Sequence, residues 1–158
     1  ASGGDGAGGN TELWNGTNWT EVNNSQANKY QAASANGTTS AGLVFGGSGV
    51  TAATESWNGT NWTAVSAMNT GRETPGGGGF SNTDVLAFGG NAGGATGENE
   101  TWNGSSWTVV SYSMNTGRYK MAGQGSTSSA LAAGGTPNSV LTEEFNGAGA
   151  PTTKTINT

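Results

Sequence analysis

The sequence predicts an all-β fold built from tandem repeat units of 43 to 45 residues. Glycine supplies 30 of the 158 residues, whereas basic and acidic side chains number only 5 and 10; this composition favours turns and short strands over helices. The phrase WNGTNWT occupies residues 14–20 and returns at 57–63, and WNGSSWT stands at 102–108. Four short strand-like segments fall in each unit, and four strands at this period are typical of one blade of a β-propeller.

Aromatic residues at a constant phase define the repeat. Four copies are headed by aromatic residues spaced 43, 45 and 43 residues apart: Trp14, Trp57, Trp102 and Phe145. In the first three copies a second tryptophan follows in the same phrase: Trp19, Trp62 and Trp107. The fourth copy carries Ala150 at that position and is therefore degenerate. We interpret the first tryptophan of each pair as packing between sheets and expect the second to be partly exposed; sugar stacking on an indole face is the alternative.

Charged residues recur in phase with these aromatic residues. A glutamate precedes each aromatic residue by two positions: Glu12, Glu55, Glu100 and Glu143. A basic residue marks one further position of the unit: Lys29, Arg72 and Arg118. A charge in phase with a core aromatic residue is usually structural, and a buried charge must be paired. We predict that each glutamate pairs with a base or with backbone groups; a charged binding ring is the alternative.

The strand signals are clearest in the two central units. Thr54–Trp57 and Trp62–Val65 are predicted to form a hairpin around Asn58–Asn61, because Asn and Gly tolerate the positive φ of tight turns. Val85–Phe88 is predicted as a third strand, and Gly76–Phe80 as a weaker fourth in which glycine indicates close backbone approach. Equivalent apolar runs end in a glycine pair: LVFGG at 43–47, LAFGG at 86–90 and LAAGG at 131–135.

Asn-x-Ser/Thr sequons are frequent, and most of them coincide with the predicted turns. They begin at Asn15, Asn18, Asn23, Asn36, Asn58, Asn61, Asn99 and Asn103. Such sites are glycosylated in secreted eukaryotic proteins, but turn chemistry already explains the NGT, NGS and NWT phrases. We interpret these asparagines as turn residues without glycan.

The order of these marks resembles the Kelch-type propeller repeat. A basic residue is followed by a weak strand, an apolar strand ending in Gly-Gly, a loop, a strand ending in an aromatic residue, a short turn and a tryptophan. The phrases TESWNGTNWT, MNTGR and LAFGG are similar to tandem Kelch-like repeats in structural proteins of marine bacteriophages, especially tail and appendage proteins. The resemblance covers almost the whole chain, and it implies a Kelch-like β-propeller segment in a virion or an extracellular setting.

The repeat divides the chain into about three and a half predicted blades. Residues 1–27 form the back half of a blade, 28–70 and 71–116 are blades, and 117–158 is a degenerate terminal blade. An incomplete ring leaves open sheets that invite pairing with another chain. We therefore expect self-association, with two chains supplying seven blades as one option, or a segment of a longer propeller; completion by neighbours in a fibre or virion is the third alternative.

The composition excludes several classes of function. Cysteine and histidine are absent, which removes thiolate nucleophiles, Ser-His-Asp triads and histidine-ligated metals. A net charge of −5 with five basic residues argues against nucleic acid as a partner, and no apolar run predicts membrane insertion. Asp5 within Ser2–Glu12 is too little for a calcium site, so no metal or cofactor is predicted. The enzymatic alternative is an extracellular glycan-active enzyme that uses Glu98 with Glu100, or Glu143 with Glu144.

We predict a non-enzymatic structural or binding module whose loops contact a host surface, with surface glycan as the candidate ligand. The loops after the glycine pairs differ in length and sequence while the flanking strands repeat, which is how a scaffold carries a binding surface. They span Ser48–Thr54, Asn91–Asn99 and Thr136–Thr142. The candidate binding residues in them are Ser48, Thr51, Asn91, Thr96, Asn99 and Asn138. An extracellular filament or surface-layer unit that assembles end to end is the alternative.

Overall fold

The computed structural model describes residues 8–26, 29–35, 37–137 and 140–147, together with the backbone of residues 152–155. Within these residues the chain forms fourteen short strands and no helix. In chain order they are β1 Thr11–Trp14, β2 Trp19–Val22, β3 Ala33–Ser34, β4 Gly42–Phe45, β5 Thr54–Trp57, β6 Trp62–Val65, β7 Gly76–Ser81, β8 Asp84–Phe88, β9 Asn99–Trp102, β10 Trp107–Val109, β11 Ala122–Gly125, β12 Ala130–Ala133, β13 Leu141–Phe145 and β14 Thr152–Thr155. The four strands predicted between residues 54 and 88 are confirmed, two of them extended by one residue.

The strands form four separate antiparallel sheets in which sequence neighbours pair. We call β1–β2 the first sheet, β3–β6 the second, β7–β10 the third and β11–β14 the fourth. The first sheet has two strands, which occupy the places of the third and fourth strands of the later sheets. The described part of the chain is therefore all-β and built of small antiparallel sheets, and these sheets do not close into a barrel or ring. In that part no helix is long and apolar enough to cross a membrane.

The WNG turns are held by the side chain of their asparagine. Oδ1 of Asn58 accepts hydrogen bonds from the backbone N–H groups of Thr60 and Asn61, both at 2.9 Å. Gly59 has a φ of +95°, a conformation that costs glycine little. Asn15 and Asn103 accept the same pair of bonds in their own turns. The prediction that these asparagines shape turns is confirmed.

The sheets pack face to face in chain order, with apolar side chains between them. Leu43 and Phe45 of the second sheet are buried in one cluster with Trp102 and Trp107 of the third. The interface between the third and fourth sheets repeats this arrangement, with Leu86 and Phe88 of β8 packed against the fourth sheet. Alternate residues of a strand point to opposite faces, so β4 and β8 each contribute to two interfaces.

The glycine pairs join one sheet to the next. Gly89 and Gly90 have φ angles of +58° and +109°, in the region that favours glycine. The N–H of Gly90 donates to the carbonyl oxygen of Arg118 at 2.8 Å, and Gly47 donates to Arg72 at 3.0 Å. A Cβ atom on Gly89 would lie 2.6 Å from the oxygen of Arg118. Both the backbone conformation and the close approach therefore require glycine at this corner.

The first strands of successive sheets approach one another closely. In β7, a Cβ atom on Gly77 would lie 2.8 Å from the carbonyl oxygen of Ser34 in β3, and one on Gly78 would lie 3.2 Å from that of Gly125 in β11. These distances leave no room for larger side chains between the backbones. The glycine run in β7 thus serves close backbone approach, as its sequence predicts.

Candidate interaction surface

A buried ion pair ties together the framework of the third sheet. Arg72 is fully buried, and its Nη2 lies 2.6 Å from Oε1 of Glu100, which is also fully buried. Nη1 of Arg72 donates to the carbonyl oxygens of Gly89 at 3.0 Å and Glu98 at 2.9 Å. The guanidinium therefore connects the glycine corner, the start of β9 and the glutamate of β9. Its fork of donors suits this geometry, because each N–H group meets a different acceptor.

The ion pair recurs at the same repeat positions of the second and fourth sheets, and in the fourth sheet the base also donates to two backbone carbonyl oxygens. Arg118 Nη2 lies 2.9 Å from Oε1 of Glu143, and Lys29 Nζ lies 3.2 Å from Oε1 of Glu55. Each of these glutamates also accepts a backbone N–H from the segment that enters its sheet. The donors are Gln26 for Glu55, Asn69 for Glu100 and Asn115 for Glu143, at 2.7, 2.7 and 2.6 Å. The predicted acid–base pairs are thus present in three sheets, whereas Glu12 of the first sheet is exposed.

The carboxylates of the enzymatic alternative are not arranged around an open cleft. Glu98 and Glu100 both contact Arg72, at 3.5 and 2.6 Å, and only Glu98 reaches solvent. Glu143 is buried against Arg118, and Glu144 lies on the opposite face of β13. Among the described residues no group of three or more acidic side chains is placed to hold a metal ion.

Whether a tryptophan is buried depends on the sheet to which it belongs rather than on its position in the repeat. Trp57 and Trp102 are buried as predicted, but the second tryptophans Trp62 and Trp107 are buried too, at 8% and 6% exposure. The prediction of partial exposure is wrong for these two because each packs against the preceding sheet. Trp14, predicted to be packed, is 45% exposed, and Trp19 is 53% exposed. Their sheet is the first, so the described residues supply no preceding sheet to cover them.

Each buried second tryptophan also donates a hydrogen bond to the preceding sheet. Nε1 of Trp62 donates to Oγ1 of Thr11 at 2.8 Å, and Nε1 of Trp107 donates to Oγ1 of Thr54 at 3.0 Å. Both acceptors are the residue before the repeated glutamate. The two threonines occupy the same position of the repeat. The hydrogen bond joins two different repeats, so the sequence of a single repeat does not reveal it.

Asn99 occupies the same position in the third sheet and was predicted to be a binding residue. That prediction is wrong: Asn99 is 2% exposed, and its Nδ2 donates to the carbonyl oxygen of Tyr112 at 2.7 Å. Its Oδ1 is buried with no hydrogen-bond partner among the described residues, and Asn99 lines a hollow of about 20 Å³ together with Phe88 and Phe145. The tryptophan that would bond to this position by repeat phase is replaced by Ala150, which lies outside the described residues.

The loops after the glycine pairs leave the same end of their sheets. The strand registers place the residue before each glycine pair opposite the residue before the repeated glutamate: Phe45 opposite Thr54, Phe88 opposite Asn99 and Ala133 opposite Thr142. Among the described residues of these loops, the exposed positions are 48–50, 93–95, 136–137 and 140. They form the candidate interaction surface. Asn138, predicted to belong to it, lies outside the described residues.

Two predicted binding residues make hydrogen bonds within their own loops. Oγ1 of Thr51 accepts a hydrogen bond from the N–H of Ala53, and Oγ1 of Thr96 accepts one from Glu98, both at 3.1 Å. Both threonines are half-buried. Of the predicted binding residues, Ser48 is exposed at a loop tip and Asn91 is half-buried.

Glu73 connects the first loop to the second. Its backbone N–H and carbonyl pair with those of Asn91 at 2.9 and 2.8 Å, and its carboxylate accepts the N–H of Gly49 at 2.8 Å. Sequence reasoning missed this residue because it stands outside both loops. These contacts of Glu73 hold the first and second loops in place relative to each other.

The comparisons with known proteins reach the fold only. No protein-family model matches the sequence, and no curated protein matches it. Solved structures do match. One of them, "Structure of YjhT", aligns with a TM-score of 0.67 and 13% sequence identity, over 84% of this chain and 53% of that chain. This chain therefore spans about half the length of the YjhT chain, and the likeness at this identity is one of fold.

Proposed function

We propose that the chain is a non-enzymatic binding module, a segment of a Kelch-like β-propeller in a phage virion appendage or tail that presents its loops to a host surface. The observation that carries the proposal is that one framework recurs in successive sheets while the loops after the glycine pairs differ. Repeated ion pairs and indole bonds maintain the framework. Variation is thus confined to positions that these contacts do not use.

The propeller assignment is supported by how the sheets are arranged. Four-stranded antiparallel sheets pack face to face in chain order, and their glycine-rich first strands approach one another. Blades that fan out from a common axis bring their first strands together in this way.

The loop surface suits a neutral, hydroxyl-rich ligand such as a surface glycan. The exposed tips of the first two loops, Ser48–Val50 and Gly93–Ala95, carry no charged side chain. The carboxylate of Glu98 in the second loop is 46% exposed and can accept hydrogen bonds from hydroxyl groups. Because the loops are already ordered by Glu73 and Thr96, binding would lose little conformational entropy.

The test is binding of the purified chain to a glycan panel and to host cells. A loop variant carries Ser48→Lys and Gly94→Lys, both at exposed positions, and a Cβ atom on Gly94 meets nothing within 4 Å. The matched control carries Thr17→Lys and Ser105→Lys in the exposed WNG turns at the other end of the sheets. We expect the loop variant to lose about tenfold or more in affinity, or about 1.4 kcal/mol, and the control to bind normally. Equal loss in both variants would contradict the loop surface, and no binding to any host surface would contradict the function.

An extracellular filament or surface-layer unit is the second candidate function. It is favoured by the exposed pair Trp14 and Trp19 at one end of the sheet series and by Leu131, 43% exposed, at the other. Large exposed apolar side chains mark sites of association. Growth of unlimited oligomers in the absence of any ligand, seen by native mass spectrometry, would favour this function over the binding module.

A further inference from the structure

The two ends of the sheet series expose apolar side chains that are buried inside the series. At the first end, the indole rings of Trp14 and Trp19 lie 5.5 Å apart and are exposed together. Their counterparts Trp57 and Trp62 have rings 5.3 Å apart at the same interplanar angle of 46°, yet both are buried. Within the described residues, the first end thus presents a formed tryptophan pair without the neighbouring sheet that covers the second pair.

The last end presents the surface on which such a pair packs. We define the outer face of the fourth sheet by Gln124, Leu131, Ala133, Thr142 and Glu144, which the strand registers place on one face. Leu131 takes the repeat position of Leu43 and Leu86. Those two leucines are each 1% exposed beneath the following sheet, whereas Leu131 is 43% exposed.

The interface between the second and third sheets is the template for joining these two surfaces. There Trp102 and Trp107 pack over Leu43 and Phe45, with the rings of Trp107 and Phe45 at 5.1 Å. The indole N–H of Trp107 completes the contact by donating to Thr54 at 3.0 Å. The first interface makes the corresponding bond from Trp62 to Thr11, so the contact occurs twice in one chain.

We propose that two copies of this chain dock head to tail, with Trp14 and Trp19 of one copy on the outer face of the fourth sheet of the other. Trp19 stands in phase with Trp62 and Trp107, and Thr142 stands in phase with Thr11 and Thr54. Thr142 is 8% exposed within the single chain, so the contact rests on the two indole rings and on Leu131, with the indole N–H of Trp19 in phase with this threonine. The interface extends the internal series of sheets across a chain boundary, and it does not depend on what the loops bind.

The docking is heterologous, because the tryptophan pair and the leucine face are different surfaces. Such a contact produces a ring where the rotation closes and a filament where it does not. Two copies would bring six four-stranded sheets and two two-stranded ones, because both first sheets hold the same pair of strands. The option of two chains supplying seven equal blades therefore does not fit these sheets.

A cross-linking experiment tests the proposal, since the chain has no cysteine of its own. Glu21→Cys places a thiol on the exposed face that carries Trp19, and Gln124→Cys places one on the outer face of the fourth sheet. The two variants are mixed and treated with a short bismaleimide. We expect covalent dimers in the mixture and none with either variant alone. Thr20→Cys, on the opposite face of β2, replaces Glu21→Cys in the control mixture and should give none.

Cross-linking and mass spectrometry can each give results that overturn the proposal. Cross-links within either single variant would show self-complementary association of like faces, and a chain that stays monomeric by native mass spectrometry at every accessible concentration would show none. In the cross-linking pair, Trp19→Ser or Leu131→Lys should lower the dimer yield about tenfold. Circular dichroism checks that these exposed substitutions leave the fold intact. Unchanged yield in both would exclude this interface, while glycan binding by the same samples reports separately on the loop surface.

Discussion

The heptapeptide WNGTNWT occurs twice in this chain with the same local structure and opposite burial. Both copies form a hairpin whose turn is held by an asparagine side chain. In both, the two indole rings are in contact at an interplanar angle of 46°. Trp57 and Trp62 are 3% and 8% exposed, whereas Trp14 and Trp19 are 45% and 53% exposed. Seven identical residues therefore determine a hairpin and its aromatic pair but not whether the pair becomes core.

The difference arises from what lies beside each hairpin. The second hairpin packs against Leu13 and Val22 of the first sheet and bonds to Thr11. The described residues place no sheet on the corresponding face of the first hairpin. Burial of an indole removes a large apolar surface from water, so the two copies should contribute very differently to stability.

The largest expected contrast is between the two second tryptophans. Trp62→Ala should lower the free energy of unfolding by about 3–5 kcal/mol, because it opens a cavity between the first and second sheets. Trp19→Ala, in the same phrase, should change it by about 0.5 kcal/mol or less in the dilute monomer. Urea unfolding followed by fluorescence measures both. Similar losses would mean that the hairpins are equally covered in solution.

The second largest contrast in stability is expected between the glutamates that precede the two tryptophan pairs. Glu55→Gln removes the carboxylate charge beside Lys29, which is 4% exposed, and weakens the acceptor of the Gln26 N–H. Leaving a buried charge uncompensated costs about 3 kcal/mol or more. Glu12→Gln is the control at an exposed site and should cost far less. The comparison would fail if urea midpoints shifted equally for both variants.

A smaller effect is expected from the hydroxyl groups that accept the indole bonds. Thr54→Val leaves the indole N–H of Trp107 buried without its acceptor and should cost about 1–3 kcal/mol. Thr142→Val is the matched change at the same repeat position of the fourth sheet, where Thr142 is 8% exposed and the described residues supply no indole donor. In the dilute monomer it should cost less, as measured by thermal unfolding. A larger loss from Thr142→Val would show that this threonine already has such a partner within the chain.

The smallest expected effect is an increase in the free energy of unfolding when the tryptophan that the fourth copy lacks is restored. Ala150→Trp supplies by repeat phase an indole donor for Oδ1 of Asn99, which is buried without a partner. A satisfied buried acceptor should raise the free energy of unfolding by about 1 kcal/mol. Ala150→Phe, which adds a ring but no donor, is the control. If the two variants are equally stable in urea, the effect comes from packing and not from the hydrogen bond.

Sequence reasoning found most of the framework and less of the candidate surface. The strands from Thr54 to Phe88 and the acid–base pairs followed from turn chemistry and repeat phase, which are written in neighbouring residues. Asn99 was misassigned to a binding loop because it begins a strand at the loop's end, where the adjacent Glu98 side chain is 46% exposed while Asn99 is buried. Glu73 was missed because its role comes from contacts to Gly49 and Asn91 in two other segments.

The sequence by itself determined the repeat, its hairpins, its glycine corners and the phase of its charges, because each depends on backbone preferences within a few residues. Only the tertiary structure decided which tryptophan pair is buried, which asparagine lacks a partner and which leucine reaches solvent. These depend on whether another sheet lies alongside. The two identical heptapeptides lie beside different sheets, so the burial of their tryptophans depends on the adjacent sheet as well as on the residue type.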